Sequence, residues 1–306
     1  MPPRAPSSSA LAARRKTLAA SARRHPRKAP AGSPPTGPAS AFALALQRLL
    51  RPLDDAWREV LRDAGFSEVV TGSNSRRSDA QGDPVSSPRT DAQGDVPDVP
   101  KVTVPPETIR RAQRAMARAA RDLAGSKALQ DALARAARAT DAHSRAIWNA
   151  QAEALGLDVT GDDLFLSARM GAFRKENLGL IRSLCAEHVV RVGKVLRENA
   201  GARVETIARE LQESVGVSRS RAQLLARDQV LKANGQLTRD RHEAAGITEY
   251  VWSASRDVRV RRRHKELDGT RQKYSDPPVV DLRTGRRAHA GQDFQCRCCA
   301  TPILPD

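Results

Sequence analysis

From Ala41 to Gly246, outside a stretch at 72–106, apolar residues recur at three- and four-residue steps, and at Gly246 that pattern stops. A period near 3.6 places such side chains on one face of a helix, so most of this chain is committed to helices that bury one stripe each. The first stripe is Leu46, Leu49, Leu50, Leu53, Trp57, Val60 and Leu61, with Pro52 expected to kink or restart it and Gly65 near its end. Two further helices are predicted over Pro106–Ala124 and Ser126–Leu155, proline suiting a first helical turn. Leu166–Asn199 carries the stripe Phe173, Leu178, Ile181, Leu184, Val189, Val192 and Val195. Ala202–Gly216 follows, with Gly216 read as its stop and Ser218 as the N-cap of a separate helix that ends at Gly246.

Past Gly246 the residues change type. "ITEYVWSAS" (Ile247–Ser255) is β-branched and aromatic and predicts a strand, and turn residues with short apolar pieces follow. The expected fold class is therefore mainly α: a long helical body with a small α+β C-terminal module and a disordered basic N-terminal arm. The boundaries read as an arm over 1–40, a helical region over 41–166 interrupted by a linker at 72–106, more helix over 167–247, and a compact module over 248–306. The linker is rich in Ser, Asp, Gly and Pro and repeats "DAQGD" at Asp79–Asp83 and Asp91–Asp95, which reads as slippage in an unconstrained loop.

Charge bears on partners. Lys and Arg number 52 against 35 Asp and Glu, a formal net charge of +17. Such a chain is drawn to polyanions, nucleic acid first. A codon bias toward Arg and Ala would give the same sum. Residues 1–40 hold eight Lys or Arg, among them Arg14, Arg15, Lys16, Arg23 and Arg24, and no acid. The segment is either a tether for DNA phosphates or a solvated tail. The same two readings apply to Arg259, Arg261, Arg262 and Arg263 in "SRDVRVRRRHKELDG". No apolar run approaches the ~20 residues of a membrane span, so no membrane partner is expected.

Three of the four cysteines lie in "CRCC" (Cys296–Cys299). That is no secreted disulfide framework. In an extended segment Cys296 and Cys298 share a face and Cys299 points away. Two thiolates on one face, completed by His264 and His289, could hold a tetrahedral zinc ion. Alternatively the cysteines pack as small hydrophobes and His264 is a hydrogen-bonded core residue. There is no glycine-rich phosphate loop, nucleophile elbow or His-rich acidic helix, so no enzyme is read here.

"RMGAFRKENLGLIRSL", then "VGVSRSRAQLLARDQVLKANGQLTRDRHEAAGITEYVWSASRDVRVRRRHKELDG", then "AHAGQDFQCRCCATP" occur in that order. This ordered set resembles the phage head morphogenesis family, the phage Mu F-like minor head proteins, from about Met170 to Pro302. The shared motif comprises Arg227, Asp228, Trp252, Asp257, Arg259, Val260, Arg261, His264, Gly269, Gly291, Asp293, Cys296, Arg297 and Cys298. The resemblance implies a minor structural protein of a tailed-phage head, located in the capsid interior after assembly in the host cytoplasm. It also implies contacts with the portal protein, capsid and scaffold components and viral DNA, and roles in head morphogenesis and DNA packaging or ejection. Many relatives have proline where this chain has Ala290, and others place Cys-x-x-Cys at the positions of Arg261 and His264. The competing readings are a zinc-stabilised nucleic-acid binder and a nuclease or toxin-like enzyme built on the same module.

Overall fold

The computed structural model describes residues 29–71, 101–157 and 166–304. Its described part is mainly helical, with short strands concentrated after Gly246. Helix α1 (Thr36–Leu49) and helix α2 (Arg51–Asp63) separate at Leu50, and Pro52 falls in the first turn of α2, where its missing N–H has no helical partner to lose. A short α3 (Ser67–Thr71), strand β1 (Lys101–Val102) and helices α4 (Pro106–Gly125) and α5 (Lys127–Ala154) follow. Ser126 caps α5, its Oγ accepting the Leu129 N–H at 3.2 Å. Helix α6 (Leu166–Glu198), strand β2 (Ala202–Arg203) and helix α7 (Val204–Ala244) complete the body. None of the described helices is long and apolar enough to cross a membrane.

Three expectations are corrected. Gly216 does not stop a helix and Ser218 does not begin one: both lie inside the continuous α7. An interior glycine costs roughly 0.5–1 kcal/mol, less than the burial of a single flanking residue such as Leu211 contributes. Residues 29–40, assigned to the arm, are packed. Ala29 is buried, the Pro30 carbonyl accepts from Gln151 Nε2 at 3.0 Å, the Ser33 carbonyl meets His143 Nε2 at 2.9 Å, and α1 starts at Thr36. The linker also ends early, because Lys101 and Val102 pair with Arg203 and Ala202 and Val104 is buried. The rest of the arm and linker, residues 1–28 and 72–100, lie outside the described residues.

The described residues cluster into two units, 29–48 with 126–180 and 222–304, and 49–125 with 181–221. The second, a helical unit, is built on apolar stripes. Trp57 and Leu61 of α2, Ile109, Ala112 and Met116 of α4, Val192 and Leu196 of α6, and Val204, Ile207, Leu211 and Val215 of α7 form one buried cluster. A polar chain runs through it: the Asp54 carboxylate lies 2.7 Å from His188 Nε2, and Ser218 Oγ lies 2.7 Å from His188 Nδ1. All three side chains are buried, and each satisfies the next.

The first unit carries the C-terminal module. Gly246 (φ 86°) ends α7 in a left-handed turn, with the Ile247 N–H donating back to the His242 carbonyl at 2.9 Å. Strand β3 (Glu249–Ser253) then becomes the centre of an antiparallel sheet, flanked by β4 (Arg271–Lys273) and β7 (Cys299–Ile303). Between β3 and β4 lies helix α8 (Arg262–Leu267), and β5 (Val279–Asp281) pairs with β6 (Arg286–Arg287). Alternation along β3 buries Tyr250 and Trp252 completely. They meet Leu267, Tyr274, Val280, Ala290, Cys296, Cys298 and Ala300 in one core. His242 Nδ1 on α7 lies 2.7 Å from the Tyr274 hydroxyl, fixing the module to that helix.

Candidate metal centre

His264 reaches the module core because α8 turns one face inward. His264 and Leu267, three residues apart, are its buried positions. The imidazole stands edge-on to the Trp252 indole, ring centroids 5.3 Å apart at 75°. Its Nε2 lies 3.2 Å from Asp293 Oδ2. Asp293 is buried and also accepts from Arg261 at 2.8 Å and from Arg286 Nε at 2.9 Å, so it is a carboxylate. A carboxylate only accepts, so Nε2 carries a proton and Nδ1 is the nitrogen that a metal would take. Nδ1 faces two sulfurs, Cys296 Sγ at 3.5 Å and Cys298 Sγ at 3.6 Å.

The turns lie at 291–295, just before the cysteines; Cys296, Arg297 and Cys298 belong to no strand, and β7 begins only at Cys299. Two backbone features shape the loop. Gly291 has φ 80°, and a Cβ there would sit 3.2 Å from the Cys298 carbonyl oxygen and 3.4 Å from Gly235 Cα. Only glycine permits that conformation and that approach to α7 without strain. Gln295 has φ 50° without being glycine, a strain of about 1–3 kcal/mol. Three contacts hold it: its N–H donates to Asp228 Oδ1 at 2.7 Å, Arg227 Nε donates to its Oε1 at 2.6 Å, and its Nε2 donates to the Leu224 carbonyl at 2.6 Å. Arg227 and Asp228 on α7 therefore fix the turn immediately before Cys296. Asp228 also pairs with Lys232 at 2.7 Å.

Among the described residues, His264, Cys296 and Cys298 form a buried group whose ligand atoms all lie within 4.8 Å of one another. A tetrahedral zinc ion with Zn–S about 2.3 Å and Zn–N about 2.0 Å sets N and S about 3.5 Å apart, which matches both distances. With a metal bound, Asp293 would stand behind His264 as the carboxylate that orients a histidine ligand. The surroundings shift the two thiols in opposite directions. The hydrogen bond with Cys298 holds Cys296 well below the usual thiol range against the cost of burial, and His264 adds to this. Cys298 is driven up by the same bond to Cys296 and by burial. The buried Trp252 indole N–H, which has no conventional acceptor, acts on the Cys298 sulfur and favours its ionised form. Burial opposes charge on His264, but the bonds to Asp293 and Cys296 outweigh it and raise its pKa to about 9.

His289, expected as the fourth ligand, is not in this group. Its Nδ1 lies 3.1 Å from the Tyr250 hydroxyl, and burial with Arg239 nearby lowers its pKa to about 4, leaving a neutral core residue. Phe294, two residues before Cys296, is 54% exposed, with Lys232 and Arg286 over its ring. Cys299 is half-buried, its Cβ 3.1 Å from where a Cβ on Gly32 would stand. Asp257 pairs with Arg297 and accepts the Arg259 N–H at 2.9 Å, and Gly269 (φ 78°) donates to the Trp252 carbonyl at 2.8 Å. The basic run is largely engaged within the module: Arg261 with Asp293, Arg262 with Glu266, and Arg263 with Glu266 and the Val279 carbonyl. Arg14, Arg15, Lys16, Arg23 and Arg24 lie outside the described residues. Sequence reasoning gave Asp293 no role and overlooked Gln295 and Arg286. A charged residue three positions before the first cysteine was the available signal for Asp293; nothing local marks Gln295.

A protein of Haemophilus influenzae (strain ATCC 51907 / DSM 11121 / KW20 / Rd), itself described as uncharacterized, is 34% identical to this chain over 141 residues. The match covers 45% of this chain and 30% of that protein, so less than a third of the relative is represented. No solved structure matches. The family described as phage Mu protein F like protein matches residues 194–301. Those residues include the three cluster residues, Asp293 and the Arg227–Asp228 pair that fixes the loop, so the segment that builds the site is the part of the chain that is similar to the phage Mu protein F like family.

Proposed function

We propose that this chain is a minor structural protein of a tailed-phage head that works beside the portal during head morphogenesis, its terminal module held together by one zinc ion. The observation carrying the reading is the match of residues 194–301 to the phage Mu F-like family, which spans the whole cluster. Its role is structural, not catalytic. The helices of the body offer the portal-binding surface, and the basic residues at 14–16 and 23–24 meet packed DNA without sequence preference, in keeping with the net charge of +17. Zinc is supported by the paired N–S distances and by the carboxylate behind His264.

Mass spectrometry of purified virions tests the location, with this chain expected at low stoichiometry; its absence from virions that package DNA normally rejects the reading. Co-expression of truncations with the portal protein tests the docking surface. Capture by residues 248–306 alone would move that surface from the body to the module.

A further inference from the structure

A tetrahedral ion held by His264, Cys296 and Cys298 has one position left over. None of the neighbouring candidates supplies it. The Asp293 carboxylate lies behind the imidazole on its Nε2 side, His289 is held at Tyr250, and Cys299 Sγ lies by the Arg297 carbonyl. Among the described residues no fourth ligand joins the group. A three-ligand site with an open position takes water or an exogenous ligand there.

The space beside the cluster has a definite character. A pocket of about 150 Å³ is lined by all three cluster residues and by Arg227, Arg259, Arg261 and Arg297, with no Asp or Glu in its wall. That volume is roughly five waters' share of the liquid, enough for a tetrahedral oxyanion. Two thiolates and a neutral imidazole cancel the charge of a divalent ion, so the arginines set the sign of the pocket. Three of them are fixed by internal partners: Arg227 by Gln295, Arg261 by Asp293, and Arg297 by Asp257. Each guanidinium carries five N–H donors, so a single partner does not exhaust it. The Arg259 side chain is exposed and unlike the others has no acceptor among the described residues, while its backbone is pinned by Asp257 Oδ1 at 2.9 Å.

From this arrangement we infer that the pocket is a phosphate-oxyanion site, in which the anion occupies the open metal position and Arg259 closes on it. The inference rests on the zinc reading above. Planar guanidinium groups grip phosphate oxygens two at a time, and several converging arginines select phosphate over a singly charged carboxylate. The phosphate could belong to a DNA backbone or be free in solution; the chemistry in the pocket is the same.

The test uses the full chain loaded with cobalt(II), whose absorption reports both thiolate ligation and changes in the fourth ligand. Metal uptake with a tetrahedral thiolate spectrum is expected, followed by a saturable spectral shift on adding inorganic phosphate. Arg259→Ala should weaken phosphate binding by about tenfold, as expected for a lost charge-assisted contact, with the phosphate-free spectrum unchanged. A short duplex DNA that produces the same shift and competes with phosphate assigns the ligand to the DNA backbone; a shift with phosphate alone assigns it to the free ion. A cobalt spectrum insensitive to both anions overturns the pocket and leaves the metal reading standing. No cobalt uptake overturns both. Equal phosphate affinity in Arg259→Ala, or in metal-free protein by calorimetry, overturns the assigned roles.

Discussion

The helical unit and the C-terminal module solve one problem by opposite means. The helical unit distributes its stability over many apolar contacts between helices, and its buried polar side chains include Asp54, His188 and Ser218 joined in a line. The module has short strands and one six-residue helix, and its interior holds His264, His289, Asp293, Cys296 and Cys298 among a few aromatic rings. A segment of this size buries too little apolar surface to stand on area alone. Stability spread over many small terms is robust to any single loss. Stability concentrated in a few strong bonds is not.

The largest expected effect follows from that concentration. Removing the metal, or replacing Cys298 by Ala, should unfold the module while leaving the helical unit protected from hydrogen exchange. A structural zinc site contributes about 10–16 kcal/mol in zinc-finger peptides, more than any one core side chain. Near-ultraviolet circular dichroism reads this directly, because Tyr250 and Trp252 are fully buried in the module. A metal-free protein with an unchanged aromatic spectrum would erase the distinction between the two regions.

Leu211→Ala probes the other side. Leu211 is fully buried in the helical unit, and its truncation should cost about 2–5 kcal/mol in denaturant unfolding. The loss should be the same with and without metal. A loss that disappears on chelation would show that the two regions share one cooperative core.

Asp54→Ala is a smaller perturbation of the same unit. It strips His188 Nε2 of its acceptor inside a buried site, and the expected cost is about 1–3 kcal/mol. Asp54→Asn keeps an acceptor at that place and should recover part of the loss. Comparable losses in both variants would mean that the carboxylate charge, and not hydrogen-bond satisfaction, matters at His188.

What could be read from the sequence divides along the same line. Helices are written in a repeating pattern, so α4, α5 and α6 emerged with ends within a residue or two. Errors came where a local signal was outweighed by burial, as at Gly216 and Ser218. The module has no period to read. His264, Cys296 and Cys298, which lie together, could be singled out because thiols and imidazoles are chemically distinctive, whereas His289 was included for the same reason and lies apart from them at Tyr250. Gln295 was invisible, because its importance lies in a backbone conformation and in partners 67 to 71 residues away on α7.

Two glycines sharpen the comparison at its smallest scale. Gly291 in the module has φ 80° and no room for a Cβ beside the Cys298 carbonyl, so Gly291→Ala should destabilise by about 1–3 kcal/mol and weaken metal retention. Gly216 in α7 is the reverse case. It is exposed, has ordinary helical φ, and a Cβ there would meet nothing within 4 Å. Alanine costs less backbone entropy in a helix, so Gly216→Ala should stabilise by about 0.5–1 kcal/mol. The gain should appear as a higher denaturation midpoint of the helical unit with an unchanged slope. A loss of stability instead would mean that α7 is not continuous through residue 216 in solution, and that the glycine marks a bend the protein needs.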